Sequence, residues 1–201
     1  MKLYYSPGAC SLAAHIVADE ADLRLQLEKV DLKSHTTENG QNYYEVNPKG
    51  YVPAIQLDDG NVLTENMAVL NYLADHSGQR LHTPPPHSIA RYRLEEWLAF
   101  INSELHKSFA PIFRGGSDAE KANAKKHILE RFGYVDSQLA GKHFLMGDRI
   151  TVADAYLFVM LAWAMKQNIE LKPNLASFFA RMAQRDSVQR AMKEEGLPLA
   201  A

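Results

Sequence analysis

The chain has 201 residues and a formal net charge of −2, with 46% hydrophobic and 23% charged residues. These values are ordinary for a globular protein, and the small net charge gives no reason to expect nucleic acid or a membrane surface as a partner. The single cysteine excludes an internal disulfide framework and a cysteine-rich zinc site, so we expect no metal cofactor.

The N-terminus shows no targeting pattern. No apolar signal segment follows Met1, and the most apolar run, residues 156–165, is too short to cross a bilayer. One free cysteine is also compatible with a reducing compartment. We therefore expect a soluble, cytoplasmic protein.

The first 80 residues alternate signals for strands and helices. Residues 2–5 predict a short strand, and apolar residues at helical spacing predict a helix over 10–21. A second strand follows over 23–32. The polar segment 38–46 predicts a weak second helix.

A hairpin and a helix complete this region. Residues 54–57 and 62–64 predict two strands joined by the turn 58–61, because its glycine and asparagine tolerate positive φ. Apolar residues at helical spacing then predict a helix that ends near Gly78. This order predicts a βαβ unit followed by a hairpin and a covering helix.

A proline-rich segment separates two regions of different character. Residues 81–87 contain three consecutive prolines, which neither a helix nor a central strand accommodates. We therefore predict a first domain over 1–80, a linker over 81–87 and a second domain over 88–201. Beyond the linker, strand signals disappear and helical periodicity dominates. The stripe within 153–164 is apolar nearly all round, which predicts a central helix.

Cys10 lies where the first strand gives way to the first helix. Unpaired backbone N–H groups and the helix dipole at such a position favour the thiolate, which is the reactive form of sulfur. The alternative is that Cys10 fills a small buried apolar position. Both interpretations remain open from placement alone.

Two further segments allow a ligand-binding and a purely structural interpretation. Pro53 is either ordinary punctuation at a strand entry or part of a cis Val52–Pro53 bond that presents the Val52 backbone to a ligand. Glu65 and Asn66 open a helix whose N-terminus suits the charged ends of an amino-acid-like ligand. The structural alternative is plain capping of that helix by Thr64.

Spacing alone predicts two features of the helical half. Ala99, Ser103 and His106 would share one face of a helix, because they are separated by four and three residues. Thr151 and Asp154 have the spacing of a capping box, which we interpret as a folding signal for the central helix.

Together these segments resemble the glutathione S-transferases, most closely the bacterial beta class. The resemblance covers nearly the whole chain and rests on residues 4–11, 46–54, 63–66, 103–107 and 150–156. It implies a thioredoxin-like α/β N-terminal domain and an all-α C-terminal helical domain. It also implies glutathione as cosubstrate, a small hydrophobic electrophile as acceptor, and a homodimer.

The resemblance assigns roles in the first domain. Cys10 corresponds to the cysteine that contacts the glutathione sulfur and can form a mixed disulfide with it. Val52, before the proposed cis-proline Pro53, corresponds to the residue that pairs with the cysteinyl backbone of glutathione. Glu65 and Asn66 correspond to the residues that bind the γ-glutamyl group.

In the second domain, His106 and Lys107 correspond to residues beside the glutathione sulfur. Ser103 and Glu104 correspond to residues that reach the ligand of the neighbouring subunit. His35 stands where many relatives carry a lysine for the glycine carboxylate, so charge pairing there would depend on pH.

The expected reaction is attack of the glutathione thiolate on an electrophile, accompanied by thiol–disulfide exchange through Cys10. Tyr5, Ser11 and His106 are the candidates for stabilising the glutathione thiolate. The alternative from another class is a non-catalytic member that binds hydrophobic ligands or a protein partner.

Overall fold

A computed structural model describes residues 1–78 and 80–198. The chain forms two compact units: Met1–Thr83 together with the segment from Ala183 onward, and Pro84–Met182. The predicted helical domain over 88–201 included that C-terminal segment, whereas in the structure the segment belongs with the first unit. Each unit is built around its own set of buried apolar side chains.

The first unit contains a five-stranded mixed sheet with strand order β3-β2-β1-β4-β5. Strand β1 pairs parallel with β2 and antiparallel with β4, and β4 forms the predicted hairpin with β5. The helices α1 and α2 contact one another, and α1 also contacts the C-terminal helix α8. The elements are β1 (Lys2–Tyr5), α1 (Ser11–Ala21), β2 (Gln26–Asp31), β3 (Thr36–Thr37), β4 (Ala54–Gln56), β5 (Val62–Thr64), α2 (Asn66–His76) and α8 (Asp186–Glu194).

The helix predicted over 38–46 is wrong. The segment forms only a short 3₁₀ turn, Tyr43–Glu45, after the two-residue strand β3. Tyr43 is fully buried; its backbone N–H donates to the carbonyl of His35 (2.8 Å), and its hydroxyl donates to that of Tyr51 (2.9 Å). Burial of Tyr43 and its hydrogen bonds to residues outside the segment outweigh the weak helical propensity of residues 38–46.

The C-terminal helix is attached to α1 by buried polar contacts. The His15 ring lies between two carboxylates, with Nε2 2.9 Å from Glu194 and Nδ1 3.1 Å from Glu195. Burial lowers the pKa of His15, but the hydrogen bonds to the two carboxylates outweigh it and raise that pKa above its ordinary value. Glu195 also accepts a hydrogen bond from the backbone N–H of Gly8 (2.8 Å), so this cluster fixes the loop that precedes Cys10.

The second unit is helical in its described residues. Between α3 and α4 the chain stays helical but changes its hydrogen-bond pattern, first to a π-helical stretch, Ile101–His106, and then to a 3₁₀ turn, Lys107–Phe109. None of the described helices has both the length and the apolar character needed to span a membrane. The helices are α3 (Ile89–Phe100), α4 (Ala110–Phe113), α5 (Asp118–Leu139), α6 (Val152–Lys166) and α7 (Pro173–Ala183).

Helix α6 is almost entirely buried, as the apolar stripe predicted, and it begins at the predicted capping box. The Asp154 carboxylate accepts hydrogen bonds from the backbone N–H and the hydroxyl of Thr151 at 2.8 and 2.7 Å. It also accepts one from the N–H of Leu145 (2.8 Å). Burial raises the pKa of Asp154 to about 6 despite these donors. The motif therefore serves the helix start, as expected.

Candidate functional site

Cys10 occupies the N-cap position of α1, as the sequence predicted. Its side chain is 9% exposed, and its thiol donates a hydrogen bond to the backbone carbonyl of Val52 (3.3 Å). The structure therefore brings together two of the residues singled out for sulfur chemistry and ligand pairing. The Val52–Pro53 peptide bond is cis, which is the ligand-binding alternative considered for this segment.

The loop before Val52 is fixed by side chains that the sequence analysis did not single out. The carbonyl of Tyr51 accepts hydrogen bonds from the side-chain amide of Asn47 (2.7 Å) and from the hydroxyl of Tyr43 (2.9 Å). Gly50 has φ +70°, and a Cβ there would lie 2.8 Å from the ring of Tyr44. Close packing thus requires glycine at position 50 and holds the backbone of Val52 in place.

The start of α2 differs from simple capping. Thr64 lies in β5, and the N-cap position is taken by Glu65, which has φ 69° and forms no capping hydrogen bond. Capping by Thr64 is therefore wrong. Positive φ in a residue other than glycine is uncommon and often marks a functional site.

Asn66 is the most informative polar residue of the first unit. Its side chain is buried, with 5% of the residue exposed, and neither its oxygen nor its nitrogen has a hydrogen-bond partner among the described residues. An unsatisfied buried polar group costs about 1–3 kcal/mol. The amide is thus available to a ligand, and beside it the carboxylate of Glu65 pairs with the Lys49 ammonium (2.6 Å).

His35 borders the same loop. Its ring lies against that of Tyr44 in a tilted arrangement, with a centroid distance of 4.5 Å and an interplanar angle of 35°, and the Cβ position of Gly50 lies 3.0 Å from it. Its Nδ1 is buried and has no hydrogen-bond partner among the described residues. His35 therefore packs against the loop that contains Gly50, and it carries a second unsatisfied polar atom.

The side chains of Tyr5 and Ser11, both candidates for stabilising the glutathione thiolate, are engaged with other groups of the protein. Tyr4 packs in the cluster that contains Val52. Because successive side chains of a strand point to opposite faces, Tyr5 lies on the other face of the sheet. There its ring is 6.2 Å from that of His15, and burial and the nearby Glu195 raise the pKa of Tyr5.

The Ser11 hydroxyl is likewise committed to local backbone. It accepts from the N–H of Ser6 (3.2 Å) and donates to the carbonyl of the same residue (3.4 Å). These contacts close the turn that leads to Cys10. Ser11 thus shapes the loop, and its hydroxyl is already engaged on both sides.

In the second unit, His106 belongs to a short hydrogen-bonded chain. Its Nδ1 lies 2.6 Å from the hydroxyl of Tyr156, and that hydroxyl donates to the side-chain oxygen of Asn102 (3.1 Å). Burial, with smaller effects from the cations of Lys107 and Arg114, lowers the pKa of His106 to about 4. The imidazole is therefore neutral at pH 7.

The π-helical stretch changes which residues share a face. The sequence predicted that Ala99, Ser103 and His106 lie together on an α-helix. Ser103 does contact the previous turn, since its hydroxyl donates to the carbonyl of Ala99 (2.9 Å). His106, however, is the last residue of the π-helical stretch Ile101–His106, where the hydrogen bonds run from i to i+5 and the α-helical period no longer applies. Such insertions are frequent at functional sites.

Glu104 and Lys107 differ in their partners. The Glu104 carboxylate pairs with Nε of Arg131 (2.9 Å) and lies 3.8 Å from His127, so it is engaged by helix α5 of the same chain. Lys107 is exposed, and its ammonium group contributes to the lowered pKa of the neighbouring His106.

Aromatic side chains adjoin His106. Trp163 contacts the imidazole edge-on at 5.1 Å, and Phe109 and Phe113 lie 5.4 and 4.9 Å from Trp163. Phe113 is 48% exposed, so part of this cluster is open to an apolar ligand. Sequence reasoning missed it, although the aromatic residues at 109 and 113 are four apart and could have indicated a shared face.

The described residues contain no group of three or more histidine, cysteine, aspartate or glutamate side chains that could hold a metal ion.

Family models and similar proteins identify the family of the chain. The model for the N-terminal domain of glutathione S-transferases matches residues 8–76, and that for the C-terminal domain matches residues 96–186. Glutathione S-transferase GstA of Escherichia coli O157:H7 is 46% identical over 200 residues, which cover 98% of this chain and 100% of that protein.

Two solved structures are similar over nearly their whole length. The beta-class glutathione S-transferase of Sphingomonas chungbukensis is 43% identical with a TM-score of 0.93, and a sphingomonad glutathione S-transferase complexed with glutathione is 42% identical with a TM-score of 0.92. Each alignment covers 98% of this chain and 100% of the other. The chain therefore belongs to the glutathione S-transferase family.

Proposed function

We propose that the protein is a glutathione transferase, which joins the glutathione thiolate to small hydrophobic electrophiles. The observation that carries the proposal is the buried, unpartnered amide of Asn66 beside the positive-φ residue Glu65. Such an arrangement is unfavourable without a ligand and suits a zwitterionic amino-acid group.

The γ-glutamyl end of glutathione would bind at the start of α2. The Glu65 carboxylate suits the ammonium group, while the Asn66 amide and the free N–H groups of the helix suit the carboxylate. The backbone of Val52 would pair with the cysteinyl residue, and His35 would face the glycine carboxylate. Together these contacts bind both ends of the tripeptide.

The sulfur chemistry follows from the position of Cys10. The Cys10 thiol is engaged in a hydrogen bond to the Val52 carbonyl, beside the backbone that would pair with glutathione. In conjugation the nucleophile is the glutathione sulfur, which bonds to the electrophile and displaces the leaving group. In the accompanying exchange reaction, Cys10 attacks oxidised glutathione, forming a mixed disulfide and releasing one glutathione thiolate.

His106 and Lys107 would act in the same reaction, at the sulfur of glutathione. The neutral imidazole supplies a proton acceptor, and the aromatic cluster around Trp163 supplies an apolar surface for the electrophile.

We also propose a cytoplasmic homodimer in which Ser103 and Glu104 approach the ligand of the partner subunit. Large apolar side chains are unusually exposed in both units, with Tyr51 59%, Ile89 74% and Tyr92 54% exposed. Two-fold homodimers are the commonest oligomers, and burial of such groups favours them.

The test is calorimetric titration of glutathione into the wild type and the variants Asn66→Ala and Glu65→Gln. Loss of a charge-assisted contact of about 1.5–3 kcal/mol predicts affinity lower by about 10-fold to 100-fold. Asn61→Ala is the matched control, because Asn61 lies in the exposed hairpin turn and bonds only locally to Asp59. Unchanged affinity in both variants would refute the proposal. Binding without turnover of any of a panel of electrophiles would restore the non-catalytic alternative.

A further inference from the structure

We propose that Tyr156 is a positioning residue that fixes His106 in its Nδ1–H tautomer, so that Nε2 is always a hydrogen-bond acceptor. The inference rests on the proposed function, since it assigns the role of His106 within that reaction. It adds two residues, Tyr156 and Asn102, to the groups on which the chemistry depends.

The direction of the hydrogen bonds follows from proton counting. A tyrosine hydroxyl has one proton, and that of Tyr156 is donated to the side-chain oxygen of Asn102 (3.1 Å). Its oxygen can therefore only accept from His106, whose Nδ1 lies 2.6 Å away. A neutral imidazole carries one proton, so a protonated Nδ1 leaves Nε2 with a lone pair.

The surroundings keep this arrangement intact. Tyr156 is fully buried on helix α6, so water does not compete for its hydroxyl. Asn102 and His106 both lie in the π-helical stretch Ile101–His106, which brings an amide and an imidazole four residues apart to the same hydroxyl. Trp163 packs edge-on against the ring at 5.1 Å and limits its rotation.

The charged groups beside the ring act in the same sense. The cations of Lys107 and Arg114 disfavour a second proton on His106, in addition to the effect of burial. The doubly protonated ring, which could donate from both nitrogens, is thereby excluded as the resting form near neutral pH.

The fixed tautomer decides what His106 can do. Nε2 can accept a hydrogen bond from the glutathione thiol and take its proton as the sulfur bonds to the electrophile, and the acidic imidazolium so formed then passes that proton on to water. It cannot donate a hydrogen bond to the thiolate in its resting form. The role expected from the sequence, stabilising the glutathione thiolate, would need a donor at Nε2, whereas the hydrogen-bond chain leaves an acceptor there.

Nitrogen-15 spectra of the histidine side chains test the assignment without relying on activity, because the two ring nitrogens differ in chemical shift when protonated and unprotonated. At pH 7 we expect the His106 signals of the wild type to show a protonated Nδ1 and an unprotonated Nε2. In Tyr156→Phe, which keeps the ring but loses the hydroxyl, we expect the proton to move largely to Nε2. Tyr134→Phe is the matched control, since Tyr134 is half exposed in the same unit, and should leave the His106 signals unchanged.

A second variant tests the direction of the chain. In Asn102→Leu the Tyr156 hydroxyl loses the Asn102 oxygen as acceptor and can donate to Nδ1 instead, so Nε2 should again become protonated. We expect kcat for conjugation to fall about tenfold in both variants, with the KM for glutathione little changed. A wild-type spectrum with the proton on Nε2 would overturn the tautomer assignment, whether or not the variants fold.

One further variant separates this inference from the proposed function. His106→Asn retains an amide that can donate to Tyr156 but has no atom in the position of Nε2. Full conjugation activity in His106→Asn would overturn the role proposed for His106, whereas loss of activity together with the expected spectra supports both.

Discussion

The two units of the molecule differ in how far their candidate site residues are satisfied without a ligand. In the first unit, the buried amide of Asn66 and the Nδ1 of His35 have no partner among the described residues. In the second, His106 and Tyr156 are hydrogen-bonded to one another, and Glu104 forms a salt bridge with Arg131. The first unit therefore has polar groups that a ligand could satisfy. In the second unit, Nε2 of His106 and the aromatic surface around Trp163 are held in place by contacts within the protein.

The largest effect is expected from Cys10, which would separate redox chemistry from conjugation. Cys10→Ala should abolish glutathione-dependent disulfide exchange, because the chain has no other cysteine. Conjugation should largely persist, since its nucleophile belongs to glutathione. Paired assays on wild type and variant measure both activities, and intact mass after treatment with oxidised glutathione should show one adduct only in the wild type. Equal loss of both activities would mean that Cys10 serves one shared mechanism.

Removing Nε2 of His106 should have the next largest effect. We expect His106→Ala to lower kcat/KM for conjugation by about 10²-fold to 10⁴-fold, the usual contribution of a positioned acid–base group. His143→Ala, a change at an exposed histidine of the same unit, is the control and should be nearly silent.

The pH profile sharpens the same point. Because the pKa of His106 is lowered to about 4, the neutral form is complete above roughly pH 5.5. The rate between pH 5.5 and 8 should then rise only with ionisation of the thiol. An inflection of the pH–rate profile near pH 6.5 that disappears in His106→Ala would contradict the assignment of a neutral His106 imidazole.

A smaller effect, on stability, is expected at the cluster that attaches α8 to α1. The pKa of His15 is raised in the folded state, so its contribution to stability is complete below the unfolded pKa of about 6.5 and is lost as pH rises through the folded pKa. Urea unfolding should therefore show that wild-type stability falls between pH 6.5 and 9 relative to His15→Gln. At pH 6 the variant should be less stable by about 3 kcal/mol, because it leaves Glu195 buried without its cationic partner. Parallel pH curves for the two proteins would exclude this linkage.

The smallest expected effect concerns Gly50, in the loop that the first unit offers to the ligand. Gly50→Ala should cost more than the roughly 1–2 kcal/mol of a left-handed alanine, because its Cβ would also meet the Tyr44 ring at 2.8 Å. Gly60→Ala is the matched control, since φ there is +86° and nothing lies within 4 Å. The difference in thermal stability between the two variants measures the cost of the contact with the Tyr44 ring. Equal destabilisation would show that the loop moves to accommodate the added methyl group without cost.

Local patterns in the sequence predicted most of the regular elements. The strand at 2–5, the hairpin, the placement of Cys10 at a helix start and the capping box at Thr151 all depend on neighbours within a few residues, and the structure contains them. The predicted thioredoxin-like domain and helical domain were also correct.

What the sequence did not predict depends on distant partners. The segment 38–46 lacks its predicted helix because Tyr43 is fully buried in a cluster with Tyr4 and Val30, which lie elsewhere in the chain. The π-helical stretch Ile101–His106 involves a change of one residue in hydrogen-bond spacing, which composition does not reveal. The unsatisfied amide of Asn66 is recognisable only once its surroundings are known, and the same holds for the hydroxyl that Tyr156 turns toward His106.

The hydrogen bond from Gly8 to Glu195 joins residues 187 positions apart in the chain. During synthesis, the loop before Cys10 cannot acquire this bond until the residue at position 195 has been added. The first unit is therefore discontinuous in sequence and cannot finish folding before the helical unit inserted between its two parts has been synthesised. Because contacts of such long sequence separation form slowly, we expect the loop before Cys10 to be among the last parts of the molecule to reach its final form.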